Sequence, residues 1–361
     1  MNDEKVSKWW SKPLLRSRPL KAGDRVAVVT PCWGGPAAFP HIYEAGKNQL
    51  ETLFELELVE MPSALRQPDW IDQNPAARAD DLMQAFSDPS ISGIIASIGG
   101  DDAIRLIPYL DLAVIRDNPK AFIGYSDPTA LHFACLKAGV RSFHGPTLMS
   151  GFAENGGMSP LTRRSFRRAV FETSPIGVLE TATEGWAIEH SDWSDPENQQ
   201  RPRQRKPSEG LRLLRGRGSA TGHLLGGCAE VLEMLKGTPW WPPLDYWENA
   251  ILFYETSEEK PSETLVLRWM RNFASQGILS RISGILLGRP GGQMSDAQKK
   301  AQEAALLRAL DEVGLHDLPV ITDIDIGHTD PILTIPYGAV ATLNCEPASV
   351  TILEAGVHLE S

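Results

Sequence analysis

The sequence has little of what membrane, nucleic-acid-binding and disulfide-stapled proteins need. Its 361 residues contain no apolar run near the roughly 18 residues that cross a bilayer, so we expect no membrane span. The formal net charge of −11 at pH 7 argues against nucleic-acid partners, which bind basic surfaces. Four cysteines, far apart and never spaced C-x-x-C, exclude a disulfide framework and predict neither zinc nor redox chemistry.

Motifs for cofactors and targeting are missing as well. There is no G-x-x-x-x-G-K-[ST] phosphate loop and no H-E-x-x-H metal site, so we expect no cofactor and no metal. The first 20 residues lack the apolar core of a secretory signal. Together with the cysteine usage, this predicts a cytoplasmic protein.

What is present is an ordinary globular composition, with 42% hydrophobic and 22% charged residues. Between residues 20 and 165, short apolar strands alternate with helical spacing, which is typical of a parallel sheet with helices on both faces. Strands cluster after residue 319, which favours a mixed sheet or partial barrel there. The predicted fold class is therefore α/β, with an N-terminal extension at 1–19, a first domain at 20–165 and a β-rich second domain at 166–361.

A polar segment at 181–216 interrupts this pattern and contains Trp186 and Trp193. A segment of this length without periodicity is either a disordered linker or a functional loop. The two tryptophans favour a functional loop, because a purely solvated linker rarely contains them.

The sharpest local signal is Ser126, which follows a predicted strand at 120–125 and directly precedes a predicted helix at 128–138. This is the context of a nucleophile elbow, in which a hydroxyl is exposed on a tight turn. The amide of Asp127 and the helix dipole would then stabilise developing negative charge. The alternative is that Ser126 merely caps the helix, and the local sequence leaves both interpretations open.

Gly99, Gly100 and Asp101 follow the preceding strand of the same predicted sheet. Ligands of parallel sheets bind outside the carboxyl ends of the strands, so these residues are placed to face Ser126 across one crevice. A glycine pair lets the backbone approach a substrate and offers amides to an oxyanion. A plain strand-to-helix turn is the alternative.

A nucleophilic serine needs a base and a carboxylate that orients it. His328 is the first candidate for the base, since it lies in a loop after a strand, and His144 is its rival. Glu255 is the first candidate for the carboxylate, because a charge at the end of a buried strand is costly without a partner. Asp323 and Asp325 are rivals. Glu258 and Glu259 are interpreted as acidic residues that favour the dipole of the following helix.

These motifs resemble the serine peptidase family S66, and the resemblance runs over nearly the whole chain. The family contains murein LD-carboxypeptidases and microcin C immunity proteins. It implies an N-terminal Rossmann-like domain, a C-terminal barrel-like domain and a homodimer. It also implies the residue roles: Ser126 as nucleophile, His328 as base and then acid, Glu255 as the residue that orients His328, and an oxyanion hole from the Asp127 amide and the Gly99–Gly100 backbone.

Within the family, the polar loop at about 181–210 is similar to that of the immunity branch, in which an aromatic side chain stacks on a nucleobase. The resemblance implies Trp193, and second Trp186, as substrate-binding residues together with Asp101. The expected substrate is a small molecule with an amide between an aminoacyl group and a modified nucleotide. Alternatives are a murein tetrapeptide, cleaved by an LD-carboxypeptidase, and a non-catalytic binder of nucleotide or peptide conjugates.

Overall fold

The computed structural model describes residues 13–188 and 191–359, so residues 1–12 of the predicted extension lie outside it. The strands are β1 (Arg25–Val29), β2 (Glu57–Glu60), β3 (Ile91–Ala96), β4 (Ala121–Gly124), β5 (Phe143–His144), β6 (Gly177–Val178), β7 (Arg212–Arg215), β8 (Ser219–Cys228), β9 (Ala250–Glu255), β10 (Gly284–Gly288), β11 (Val320–Ile324), β12 (Ile335–Pro336), β13 (Val340–Cys345) and β14 (Ala348–Ile352). The α-helices are α1 (Gly35–Ala38), α2 (Pro40–Phe54), α3 (Pro68–Gln73), α4 (Pro75–Ser87), α5 (Leu112–Asp117), α6 (Thr129–Ala138), α7 (Pro160–Val170), α8 (Ala229–Leu235), α9 (Glu263–Ser275) and α10 (Asp296–Glu312).

The first sheet has the order β12-β5-β4-β3-β1-β2, and the strands from β2 to β5 run parallel. Its strands are short apolar runs, and β3 and β4 are buried at every position, as expected when helices cover both faces. β12, from the far end of the chain, pairs antiparallel with β5. The predicted α/β class is confirmed.

The second sheet is mixed and has the order β6-β14-β13-β8-β9-β10-β11-β7. Strands β8 to β11 run parallel in its centre, and antiparallel strands flank them on both sides. The mixed sheet predicted from the clustered C-terminal strands is confirmed. Within residues 13–188 and 191–359, no helix combines the length and apolarity needed to cross a membrane.

The polar segment at 181–210 is packed against the rest of the molecule. Among its described residues, a 3₁₀ helix at Pro196–Gln200 lies near α2. The Asn155 side-chain amide donates to the Asn198 carbonyl at 2.6 Å, and that of Gln199 donates to the Ala153 carbonyl at 2.8 Å. These bonds exclude the disordered-linker interpretation for this part of the segment.

Candidate active site

Ser126 occupies a strained turn between β4 and α6. Its φ of 67° lies in the left-handed region, which costs an L-residue energy and is found mostly at functional sites. The helix begins at Thr129 after Pro128, without a side-chain cap, so the N-cap interpretation of Ser126 is wrong. Gly124 permits the tight turn, because a Cβ atom there would lie 3.0 Å from the Pro128 Cβ atom.

His328 and Glu255 complete a hydrogen-bonded line that starts at Ser126. The Ser126 Oγ atom lies 3.0 Å from His328 Nε2, and His328 Nδ1 lies 2.7 Å from Glu255 Oε2. Glu255 is the last residue of β9 and is 1% exposed, so its carboxylate is held away from water. Gly327 leaves room for it, since a Cβ atom there would lie 2.9 Å from Oε2. The structure thus brings the three predicted side chains together from two sheets.

The rival candidates have other partners. His144 is fully buried, and its Nε2 atom lies 2.5 Å from the carbonyl of Ile326. Asp325 pairs with Arg289, and Asp323 pairs with Lys299 and Arg212. None of these three rivals therefore joins the line formed by Ser126, His328 and Glu255.

The turn after β3 lies directly against the nucleophile. A Cβ atom at Gly99 would lie 3.0 Å from Ser126 Oγ, and one at Gly100 would lie 2.9 Å from the Cβ atom of Cys32. Both positions therefore favour glycine, and the plain-turn alternative does not account for this closeness.

The side chain of Asp127 links the turn after β3 to the turn that carries Ser126 by hydrogen bonds. It is fully buried, and its Oδ2 atom accepts hydrogen bonds from the amides of Asp102 at 2.9 Å and Ala103 at 2.8 Å. Burial raises the pKa of Asp127 to about 6, although these two amides favour its ionised form. Within the described chain, neither the Gly100 amide nor the Asp127 amide donates to another protein group. Both are therefore free for an oxyanion.

The charge around His328 favours its protonated form. Burial acts to lower the pKa of the ring, but the negative charge of Glu255, helped by Glu258 and Glu230, outweighs it and raises the pKa to about 9. Glu255 therefore stabilises the imidazolium that forms when His328 accepts a proton.

A cavity of about 610 Å³ opens above Ser126 and His328, a size typical of sites for small molecules. Asp101 and Trp193 line it, as expected for substrate-binding residues. The Trp193 ring packs edge-on against Phe39 with the ring centres 5.6 Å apart. The cavity's lining combines aromatic rings with several carboxylates.

Trp186 is not part of the cavity lining among the described residues. Its indole N–H donates to the Pro207 carbonyl at 3.2 Å, and the cations of Lys206 and Arg289 each lie 5.4 Å from its ring. Through these contacts Trp186 packs within the polar segment and against Arg289. The two tryptophans of the segment therefore differ in position, because only Trp193 lines the cavity among the described residues.

Two cavity residues were missed by sequence reasoning. Trp33 lines the cavity beside Gly100, and its position just after β1 is the signal that indicates it, because ligands bind at such strand ends. Glu258 lines the cavity with Oε2 3.4 Å from His328 Nε2. Its interpretation as a helix-dipole residue is wrong, because the helix begins only at Glu263, after the Ser262 cap.

A serine on a strand-to-helix elbow, within hydrogen-bond reach of a histidine that a carboxylate orients, is the arrangement typical of serine hydrolases. Comparison with protein-family models narrows this class. The LD-carboxypeptidase N-terminal domain of peptidase S66 matches residues 26–145, and the C-terminal domain matches residues 221–343. The chain belongs to the LD-carboxypeptidase family, peptidase S66, and is an enzyme of the serine peptidase and carboxypeptidase type.

Similar proteins come from both branches of the family. The microcin C7 self-immunity protein MccF of Escherichia coli is 28% identical over 284 residues, which cover 78% of this chain and 80% of that protein. A probable murein peptide carboxypeptidase of Bacillus subtilis is 27% identical over 346 residues, 95% of each protein. The structure of MccF in complex with aspartyl sulfamoyl adenosine has a TM-score of 0.86 at 26% identity, and the match covers 95% of this chain and 100% of that one.

Proposed function

We propose that this chain is a serine hydrolase that cleaves the amide between an aminoacyl group and a modified nucleotide. The observation that carries the proposal is the line from Ser126 through His328 to Glu255, with distances of 3.0 and 2.7 Å, at a cavity lined by Trp193. The line supplies a nucleophile, a base and an orienting carboxylate, and the cavity supplies room for the substrate.

In the proposed reaction, Ser126 Oγ attacks the amide carbonyl carbon while its proton passes to His328 Nε2. Glu255 holds the ring and stabilises its positive charge. The amides of Asp127 and of the Gly99–Gly100 turn receive the negative charge of the carbonyl oxygen.

His328 then gives the proton to the leaving nitrogen, the C–N bond breaks, and the acyl group stays on Ser126 as an ester. Water attacks this ester and passes a proton to His328. The tetrahedral intermediate collapses, the C–O bond to Ser126 breaks, and Oγ takes the proton back as the free acid leaves.

The nucleotide part of the proposed substrate is supported by the cavity and by the relatives. The planar indole of Trp193 is suited to stack on a nucleobase. MccF has been captured with aspartyl sulfamoyl adenosine, and an MccF-like protein of Streptococcus pneumoniae with AMP. We assign Trp193 to the nucleobase and Asp101 to the substrate contacts at the cavity wall.

A murein tetrapeptide is the second candidate substrate, favoured by the similarity to the Bacillus subtilis carboxypeptidase. The same three residues would release its terminal D-alanine by the same steps. The two candidate substrates differ in the leaving group. It is the modified nucleotide with its nitrogen in one case and D-alanine in the other.

Mass spectrometry of the purified protein, incubated separately with aspartyl sulfamoyl adenosine and with a murein tetrapeptide, tests the proposal. Release of free aspartate, absent with Ser126→Ala, supports the nucleotide substrate. Loss of D-alanine from the tetrapeptide alone assigns the chain to murein peptides. Unchanged turnover in Ser126→Ala overturns the proposed nucleophile.

The homodimer and the cytoplasmic location implied above stay predictions. Light scattering of the purified protein tests the first, and fractionation of cells that express the chain tests the second.

A further inference from the structure

Glu258 approaches the catalytic nitrogen atom of His328. Its Oε2 atom lies 3.4 Å from His328 Nε2, the atom that also faces Ser126 Oγ at 3.0 Å. The side chain lines the cavity and is 58% exposed, so a ligand can reach it. Within the described chain, Glu258 forms no ion pair with a lysine or arginine. Among the described residues its ionic contact is with His328, and the exposed side of the carboxylate can still accept a bound cation.

The backbone of Glu258 is fixed by its neighbours. The Glu230 carboxylate accepts two hydrogen bonds from Ser257, one from the backbone amide at 3.0 Å and one from the side-chain hydroxyl at 2.9 Å. The Ser257 hydroxyl in turn accepts from the amide of Glu259 at 3.2 Å. On the other side Gly292 packs closely, since a Cβ atom there would lie 2.6 Å from the Glu258 carbonyl oxygen. The backbone that carries the carboxylate is thus held in place before any ligand binds.

Two other carboxylates of the cavity already have arginine partners. Glu154 forms a two-pronged ion pair with Arg203, and Asp330 pairs with Arg205 at 3.2 Å. Glu258, in contrast, lies against His328 and lacks such a partner among the described residues.

A second feature of the cavity indicates a polar ligand. Thr329, next to His328, is 4% exposed and lines the cavity. Its hydroxyl has no hydrogen-bond partner among the described residues. A buried hydroxyl without a partner is costly, and a polar group of a bound ligand would satisfy it as donor or acceptor.

We propose that Glu258 binds the α-ammonium group of the acyl residue, and that the enzyme therefore selects substrates with a free amino group beside the scissile carbonyl. The inference rests on the proposed function, which puts the carbonyl carbon at Ser126 Oγ. The α-nitrogen is two bonds from that carbon, and Glu258 lies within two hydrogen-bond lengths of Ser126. The ammonium of a lysine side chain would lie several bonds farther away.

Two substrates of matched shape test this selection: alanyl-sulfamoyl adenosine and its counterpart without the amino group, propanoyl-sulfamoyl adenosine. The ratio of their kcat/KM values measures the contribution of the ammonium group. We expect Glu258→Gln to lower this ratio about tenfold, the size expected for a partly exposed charge-assisted hydrogen bond. Glu259→Gln changes the neighbouring cavity carboxylate in the same way and should leave the ratio unchanged.

The ratio separates recognition from a general effect on His328. If Glu258 only orients the ring, Glu258→Gln slows both substrates equally and the ratio stays constant, which overturns the inference and leaves the proposed function standing. A change in Glu259→Gln instead of Glu258→Gln overturns it as well.

Binding provides a readout that does not require turnover. In a Ser126→Ala background, calorimetry should show that Glu258→Gln weakens the binding of alanyl-sulfamoyl adenosine and leaves the affinity for propanoyl-sulfamoyl adenosine unchanged. Equal weakening of both compounds contradicts the inference. Failure of the enzyme with the Ser126 hydroxyl to cleave either compound contradicts the proposed function, while the binding comparison still decides the role of Glu258.

Discussion

The cavity has two walls that are built differently. One wall consists of strand ends and the turns that follow them, and it carries Ser126 and His328, with Glu255 buried behind His328. The other consists of the polar segment at 181–210, which carries Trp193. It is attached to the body by side chains, such as the ion pair of Arg203 with Glu154, and by backbone hydrogen bonds between Ala187 and Asp330. Reacting groups thus lie on the regular scaffold, and the proposed nucleobase contact lies on an attached segment.

This difference separates two requirements. Proton transfer and attack need atoms placed to a fraction of an ångström, which buried strands provide. Substrate choice needs a surface that can vary without disturbing those atoms, which a loop provides. Changes in the first wall should therefore lower kcat, and changes in the second should mainly raise KM.

The largest effect is expected for Glu255→Gln. The amide keeps the shape but removes the charge that stabilises the His328 imidazolium, so kcat should fall about 1,000-fold. Steady-state kinetics with the cleaved substrate measure the loss. Glu248→Gln, at an exposed surface pair with Arg281, is the matched control and should retain activity. A loss of less than tenfold in Glu255→Gln would contradict the assigned role.

A smaller loss of kcat is expected when the turn after β3 loses its hydrogen bonds to Asp127. Asp127→Ala removes the acceptor of the Asp102 and Ala103 amides, and the Gly99–Gly100 turn should lose its position against Ser126. We expect kcat to fall about 100-fold with little change in KM. Asp127→Asn keeps an oxygen acceptor and should recover part of the rate. Equal rates in the two variants would show that the side chain does not position the turn.

The second wall should respond through binding. Trp193→Ala is expected to raise KM for the nucleotide substrate about tenfold, the size of one lost stacking contact, and to leave kcat close to its original value. Trp186→Ala should leave KM unchanged and lower the melting temperature instead, because its ring packs between Lys206 and Arg289. Thermal unfolding and kinetics on both variants test this separation, and reversed effects would exchange the roles of the two rings.

The smallest effect concerns pH. His328 must be neutral to accept a proton, and its pKa in the free enzyme is raised to about 9, where burial is outweighed by Glu255, Glu258 and Glu230. We therefore expect kcat/KM to be low at acidic and neutral pH and to rise with a midpoint near 9. Glu258→Gln removes one negative charge and should lower the midpoint by about half a pH unit. An unchanged profile would indicate that Glu258 does not act on His328.

The scaffold wall was largely predictable from the sequence. The strands at its core are continuous apolar runs, and Ser126, Glu255 and His328 each follow or end such a run. Their mutual contacts were not predictable from spacing, because three carboxylates and two histidines satisfied the same local criteria. The distances in the structure bring Ser126, His328 and Glu255 together and leave the rivals apart.

The attached segment and its surroundings were less predictable. Helix α7 was not assigned, although Leu161, Phe166, Ala169 and Val170 give it a buried face at helical spacing. The contact of Glu258 with His328 joins residues far apart in the chain, and local sequence indicated only the dipole of the next helix. The separation of Trp193 from Trp186 depends on Lys206 and Arg289, which are distant from Trp186 in the sequence, so no local pattern shows it.

The short strand β12 has a consequence for the order in which the molecule can be made. It lies shortly after His328 in the chain, and it pairs Ile335 with His144 at the edge of the sheet that carries Ser126. During synthesis the nucleophile emerges from the ribosome long before its base and before this last strand of its own sheet. An unfinished polypeptide thus carries the serine without the means to activate it. Under the proposed roles, hydrolysis requires the chain to be made at least as far as His328, shortly before β12 completes the first sheet.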